Sequence, residues 1–148
     1  MKHGDISNHE SPIVAFNLDN LLFLGEKSNK SVFSRVSNIF RGEESKFFNR
    51  EINQIFIQDL NILWNSRGYS IYLVTYSPAR VRKYEKVLYD NQVCYTRVLA
   101  FDMVEDAQLF IRNRCMLYID RSNEMLSVLN SNNCIAYKDM WTVMGGRR

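Results

Sequence analysis

Five short apolar runs alternate along this chain with stretches of helical spacing, and that alternation restricts the fold more than any other feature of the sequence. Ile13-Val14-Ala15-Phe16 follows Pro12 and is rich in β-branched residues over a length too short for a helix, as a strand buried on both faces requires. Comparable runs span residues 71–74, 98–101, 115–119 and 134–137. Between them, Ile52, Ile55, Phe56, Leu60, Leu63 and Trp64 share one helical face, and Gly68 is placed to end that helix in a left-handed conformation. Ser77 can cap a helix whose first position is Pro78 and which runs to about Asp90. Val104, Ala107, Phe110 and Ile111 make the next helix, and Ser122 starts another that carries Met125, Leu126 and Leu129. Strands alternating with helices imply right-handed crossovers, so the expected fold is an α/β, Rossmann-like three-layer sandwich around a mostly parallel five-stranded sheet. Ligands of such sheets bind beyond the C-terminal strand ends, where the strand order reverses. The positions to watch are therefore 17–21, 75–77, Asp102 and 120–122.

The length of 148 residues suits one domain, residues 1–148, with a flexible N-terminal stretch over 1–11. A formal charge of +3 is too small to serve as a nucleic-acid signature by itself. Cys94, Cys115 and Cys134 are odd in number and lie in or beside apolar runs, which reads as reduced core thiols. His3 and His9 fall in a polar stretch without ligand spacing, so a zinc site is not expected. No run has the apolar length of a signal peptide or a membrane span, and a cytoplasmic protein without membrane contact is the expectation.

Residues 24–49 interrupt the pattern. They are polar and basic, with Lys27, Lys30, Arg35, Arg41 and Lys46, and Arg50 just beyond, against Glu26, Glu43 and Glu44, and carry one amphipathic patch of Val32, Phe33, Val36, Ile39 and Phe40. The ordinary reading is an inserted helix with a solvated face. The tyrosines at 69, 72, 76, 84, 89 and 95 either bury their rings with wet hydroxyls or, if exposed, suit an interface.

The segment Phe16-Asn17-Leu18-Asp19-Asn20-Leu21-Leu22-Phe23 resembles the motif that closes the first strand of the haloacid dehalogenase (HAD) superfamily, Phe-Asp-Leu-Asp-Asn-Thr-Leu-Phe, at six of eight positions. Thr75 after the second run looks like the family's second motif, and Tyr118-Ile119-Asp120-Arg121-Ser122 looks like its acidic fourth motif. The resemblance covers residue 13 to about residue 137. It implies a nucleophile at position 17, an acid/base at Asp19, a phosphate-binding hydroxyl at Thr75 and a phosphate-stabilising cation at Arg112 or Arg114. It also implies a magnesium ion held by position 17, the Asp19 carbonyl and Asp120, and a small cap inserted over the site by residues 24–49. The region after Asp120 is similar, more faintly, to the phosphatase part of polynucleotide kinase-phosphatases; no Gly-rich nucleotide loop accompanies it.

The departures carry as much information as the matches. Asn17 puts a neutral amide at the nucleophile position, Leu21 replaces the family threonine, and Arg121 brings a cation where a second acid commonly stands. Losing a covalent nucleophile costs a hydrolase on the order of a millionfold in rate. The expected magnesium site is correspondingly weak, and no other cofactor is expected. The leading expectation is a catalytically impaired HAD-like domain, a pseudophosphatase that acts by binding a phosphorylated ligand, a protein partner or nucleic acid. The alternative is a magnesium-dependent phosphatase on a nucleotide or nucleic-acid phosphate, with Asn17 an engineered or atypical nucleophile position. A purely structural or partner-inhibiting module is the third. Taken as local structure alone, Asp19 and Asn20 could make a turn, Thr75 and Ser77 a helix cap, and Asp120 a cap for the helix that begins near Ser122.

Overall fold

The computed structural model describes residues 11–25, 46–66 and 68–145. Lys27, Lys30, Arg35 and Arg41, the amphipathic patch of the expected cap and most of the N-terminal stretch lie outside the described residues.

Apolar β-branched runs become strands because both of their faces find helices to pack on. Strand β1 is Ile13–Asn17, followed at once by a single-turn helix α1, Leu18–Leu21. Helix α2 (Gln54–Ser66) leads to β2 (Ser70–Thr75), and a 3-10 turn (Pro78–Arg80) runs into α3 (Val81–Asp90). Then come β3 (Arg97–Ala100), α4 (Val104–Arg114), β4 (Leu117–Asp120), α5 (Asn123–Leu129) and β5 (Cys134–Ala136). All four strand pairings are parallel and the order is β3-β2-β1-β4-β5.

Side chains alternate across the pleat. Val14, Phe16, Ile71, Leu73, Leu117 and Ile119 share one core with α1, α2 and α3. Ile13, Ala15, Val74 and Tyr118 share the other with Ala107 and Ile111 of α4 and Met125 and Leu129 of α5. The result is the three-layer sandwich expected from the alternation. The strand order reverses at β1, so the crevice between β1 and β4 is the switch point, and Asn17 and Asp120 stand at its mouth.

Several local expectations shift for physical reasons. The fourth strand begins at Leu117 and not at Cys115, because the Cys115 amide still donates to Ile111 O (3.3 Å) and closes α4. The third strand is Arg97–Ala100; Phe101 donates once more to Thr75 O (3.0 Å) and then leaves the sheet. Helix α2 starts later than the apolar spacing suggests, since Asn53 Oδ1 accepts from the Phe56 amide (3.2 Å) while its Nδ2 donates to Leu21 O (3.2 Å). Gly68 is left-handed, φ +74°, as expected. Tyr137 leaves the fifth strand and opens a 3-10 turn, Tyr137–Asp139, into a short helix α6, Met140–Met144, which the apolar spacing does not foretell. Among the described residues no helix is long and apolar enough to cross a membrane.

Candidate functional site

The sheet delivers Asn17, Thr75 and Asp120 to its C-terminal end, and α1 adds Asp19; all four are buried. Asn17 caps α1 because its extended backbone lets Oδ1 accept from the Asp19 amide (2.8 Å). That bond fixes the amide orientation and points Nδ2 at Asp120 Oδ2, 2.8 Å away. Asp120 Oδ2 also accepts from the Tyr118 hydroxyl (2.7 Å), and its Oδ1 accepts from Asn20 Nδ2 (2.6 Å) and the Ser122 amide (2.8 Å). The Tyr118 proton is thus committed, so the Tyr76 hydroxyl, 2.9 Å from that of Tyr118, donates into the same chain. Burial pushes Asp120 above the usual carboxylate range, while the bonds from Tyr118, Asn20, Asn17 and Ser122 oppose that shift. Burial and the neighbouring carboxylates hold Tyr76, Tyr84 and Tyr118 well above the ordinary phenol value, so all three stay protonated donors.

Asp19 faces a different set. Thr75 Oγ1 (2.7 Å), Tyr84 OH (2.6 Å) and Arg80 Nη1 (3.3 Å) converge on Oδ1, and the Tyr76 amide (2.8 Å) donates to Oδ2. Arg80 is itself 5% exposed, with its guanidinium 3.9 Å from the Phe47 ring centre. Phe47 and Phe48 pack edge-on against Tyr84 and Phe23, closing the apolar side of the pocket.

The structure therefore brings together Asn17, Asp19, Thr75 and Asp120, but not the two arginines expected beside them. Arg112 and Arg114 are exposed in the last turn of α4, at the end of the sheet where β4 begins and hence opposite Asp120. Asp102 is exposed beyond β3, and Ser77 starts its 3-10 turn without any side-chain capping bond. Ser122 does cap α5, accepting from the Met125 amide (3.1 Å), so that duty does not fall to Asp120. Arg121 is exposed, and its Nε donates to Asn20 O (3.0 Å).

Magnesium demands near-octahedral oxygen ligands at about 2.0–2.1 Å. Asn17 presents a hydrogen-bearing nitrogen towards Asp120, and both Asp120 oxygens already accept two donors each. Among the described residues no group of three or more His, Cys, Asp or Glu side chains could hold a metal ion. The residues present do not fit that ion.

Sequence reasoning missed Arg80, placed Asn20 among the strand-end positions only as a turn residue, and read Tyr84 with the other tyrosines as a ring with a wet hydroxyl or part of an interface. A cation was sought before the fourth strand, whereas Arg80 comes from the first turn after the second. The available signal was Ser77-Pro78-Ala79-Arg80 directly after a buried strand, which returns a basic residue to the strand end.

No known family profile matches the chain, and none of the curated proteins matches it. Among solved structures, a chain of the Pnkp1/Rnl/Hen1 complex is similar, with a TM-score of 0.59 and 17% identity over 86% of this chain. This chain spans about half, 47%, of the length of that one. At this identity the likeness speaks for the α/β fold.

Proposed function

We propose that this chain is a HAD-like domain that has left phosphoryl transfer behind and acts by holding a macromolecular partner. The observation that carries the reading is the Asn17–Asp120 hydrogen bond: the position that would attack phosphorus is a neutral amide, and its nitrogen occupies the Asp120 oxygen that a metal would need. Support also comes from Thr75, whose hydroxyl is engaged by Asp19 and not held ready for a phosphate. The similar chain belongs to a multi-protein assembly by its own description, which favours a binding role here. The basic segment that contains Lys27, Lys30, Arg35 and Arg41 follows α1 in sequence and is the proposed contact region, by electrostatic steering of an acidic partner. The magnesium-dependent phosphatase remains the second reading, favoured by the convergence of Asp19, Thr75 and Asp120 at one strand-end site.

A phosphatase screen with magnesium on the parent chain and on Asn17→Asp separates the two. No turnover by either is the expected result; strong activity confined to Asn17→Asp moves the conclusion to the phosphatase. Partner capture is then compared between the parent and an Arg35→Glu/Arg41→Glu variant, and capture that survives the reversal removes the basic segment from the proposal.

A further inference from the structure

Helix α4 turns Ala107 and Ile111 into the core, and the point of its surface directly opposite them is Leu109, which is 52% exposed. A lone exposed leucine is ordinary; the arrangement around this one is not. One turn before it and one turn after it, Glu105 and Arg112 stand on one flank, and Asp106 and Asn113 on the other, all exposed. Exposed Val128 of α5 lies beside them, tied to α4 by Gln108 Nε2, which donates to its carbonyl (3.1 Å). Met103 at the N-cap of α4 and Met116 just past its last turn are exposed at its two ends.

The helix does not use these charges itself. Acids in a first turn and bases in a last turn suit any helix dipole, which accounts for their order but not for their register about Leu109. On a helix surface, ion pairs join residues three or four apart, as Lys86 and Asp90 do on α3 (2.9 Å). Three and four positions after Glu105 come Gln108 and Leu109, and the same two residues precede Arg112. Glu105 and Arg112 are about 10 Å apart along the axis, so neither serves the other. A second α4 laid antiparallel across the first supplies both partners at once. About a two-fold axis beside Leu109, the leucines of the two copies meet, each Glu105 faces the other copy's Arg112, and each Asp106 comes level with the other copy's Asn113. The steps of about 6 Å back to Glu105 and about 4.5 Å on to Arg112 nearly match, which is what self-complementarity under rotation requires. The same rotation brings Met103 of one copy to the end where the other carries Met116. A parallel pair would instead set acid against acid and base against base.

We propose that the exposed face of α4, centred on Leu109 and flanked by α5, is a self-contact through which two copies of this chain associate antiparallel. The occupant is a second copy because the face is complementary to itself, in charge and in spacing, and a foreign partner needs no such symmetry. One helix and the rim of another make an interface smaller than the roughly 1,200 Å² of a standard one, so the association is weak, with a Kd on the order of 100 µM. Helices α4 and α5 cover the side of the sheet opposite α2 and α3. The contact therefore goes beyond the partner binding proposed above and stands apart from it: the phosphatase screen and the reversal of Arg35 and Arg41 do not bear on α4.

The test is sedimentation equilibrium of the full chain at low salt, from about 10 µM to about 1 mM. The parent should pass from monomer towards dimer over that range. Leu109→Glu, a surface change whose fold is checked by far-UV circular dichroism, should stay monomeric. Glu105→Arg and Arg112→Glu each turn two attractions across the axis into two repulsions, and each should weaken the dimer on the order of tenfold. An equimolar mixture of those two variants sets bases opposite acids again and should recover most of the parent's association at the same total concentration. A parent that stays monomeric throughout overturns the proposal and leaves the face to a different protein or to solvent. A dimer that survives Leu109→Glu is built elsewhere on the chain and overturns it too. Indifference of the dimer to both reversals, or a mixture no more associated than its components, rejects the antiparallel contact.

Discussion

Asp19 and Asp120 are both buried beyond the C-terminal end of the sheet, yet of the two, Asp19 has a guanidinium against it, whereas the bonds that reach Asp120 come from neutral groups. Asp19 is stabilised by charge: Arg80 lies 3.3 Å from it, two hydroxyls and an amide complete the set, and Phe47, Phe48 and Tyr84, packed edge-on, close the apolar side. Asp120 is stabilised by number. Four dipoles, from Asn17, Asn20, Tyr118 and Ser122, saturate its two oxygens, and burial still pushes its pKa upward. Both carboxylates take four donors, one of them charged at Asp19 and none at Asp120, and the four neutral donors fix the Asp120 geometry. The amide at position 17 belongs to that geometry: an aspartate there would set two carboxylate oxygens against each other at the 2.8 Å now spanned by a hydrogen bond.

The sharpest way to break this contrast is Arg80→Met, which removes the cation and keeps the bulk. Asp19 would then be buried without a counter-charge, and urea denaturation should show a loss of about 3–5 kcal/mol. A loss below about 1 kcal/mol would mean that the dipoles suffice for both carboxylates. Next in size is the pair Tyr118→Phe and Tyr84→Phe. Each deletes one hydroxyl bonded to a carboxylate, but the first also breaks the Tyr76–Tyr118 hydroxyl contact and takes one of the four neutral donors on which Asp120 depends, whereas the second leaves Asp19 its guanidinium. The expected losses are about 3 kcal/mol and about 1.5 kcal/mol respectively, and the reverse order would dissolve the distinction. The smallest effect is a slope. A carboxyl whose folded pKa is raised contributes stability below its ordinary 3.8 and loses it as pH rises through the folded value, so above that value Asp120 is a burden. Relative to the parent, Asp120→Asn should therefore gain melting temperature as pH rises from 3.8 through the folded value and hold that gain above it. A flat difference would place Asp120 at an ordinary pKa.

Much of the scaffold was legible because it depends on local rules. The buried runs became strands, Gly68 took its left-handed turn, and Ser122 capped its helix. The strand-end positions of Asn17, Thr75 and Asp120 followed from the same rules, since a residue that ends a parallel strand has one place to go. What escaped was set by packing between distant segments. Arg80 owes its role to Phe47 and Asp19, neither of which is near it in the chain. Asn20 reaches across a separation of 100 residues to Asp120, and α6 forms where Met140 finds the core and not from any strong periodicity of its own. Arg112 and Arg114 failed for a simple topological reason: the last turn of a crossover helix lies at the end of the sheet where the next strand starts.

The central place of β1 has a consequence for synthesis. Its neighbour on one side, β2, is made soon after it, but the neighbour on the other, β4, begins only at Leu117. At roughly 5–20 residues per second, a nascent chain spends several seconds with that flank of its first strand uncovered. During this interval the Asn17 amide has no carboxylate to meet, and it is the emergence of the later half from the ribosome that closes the seam.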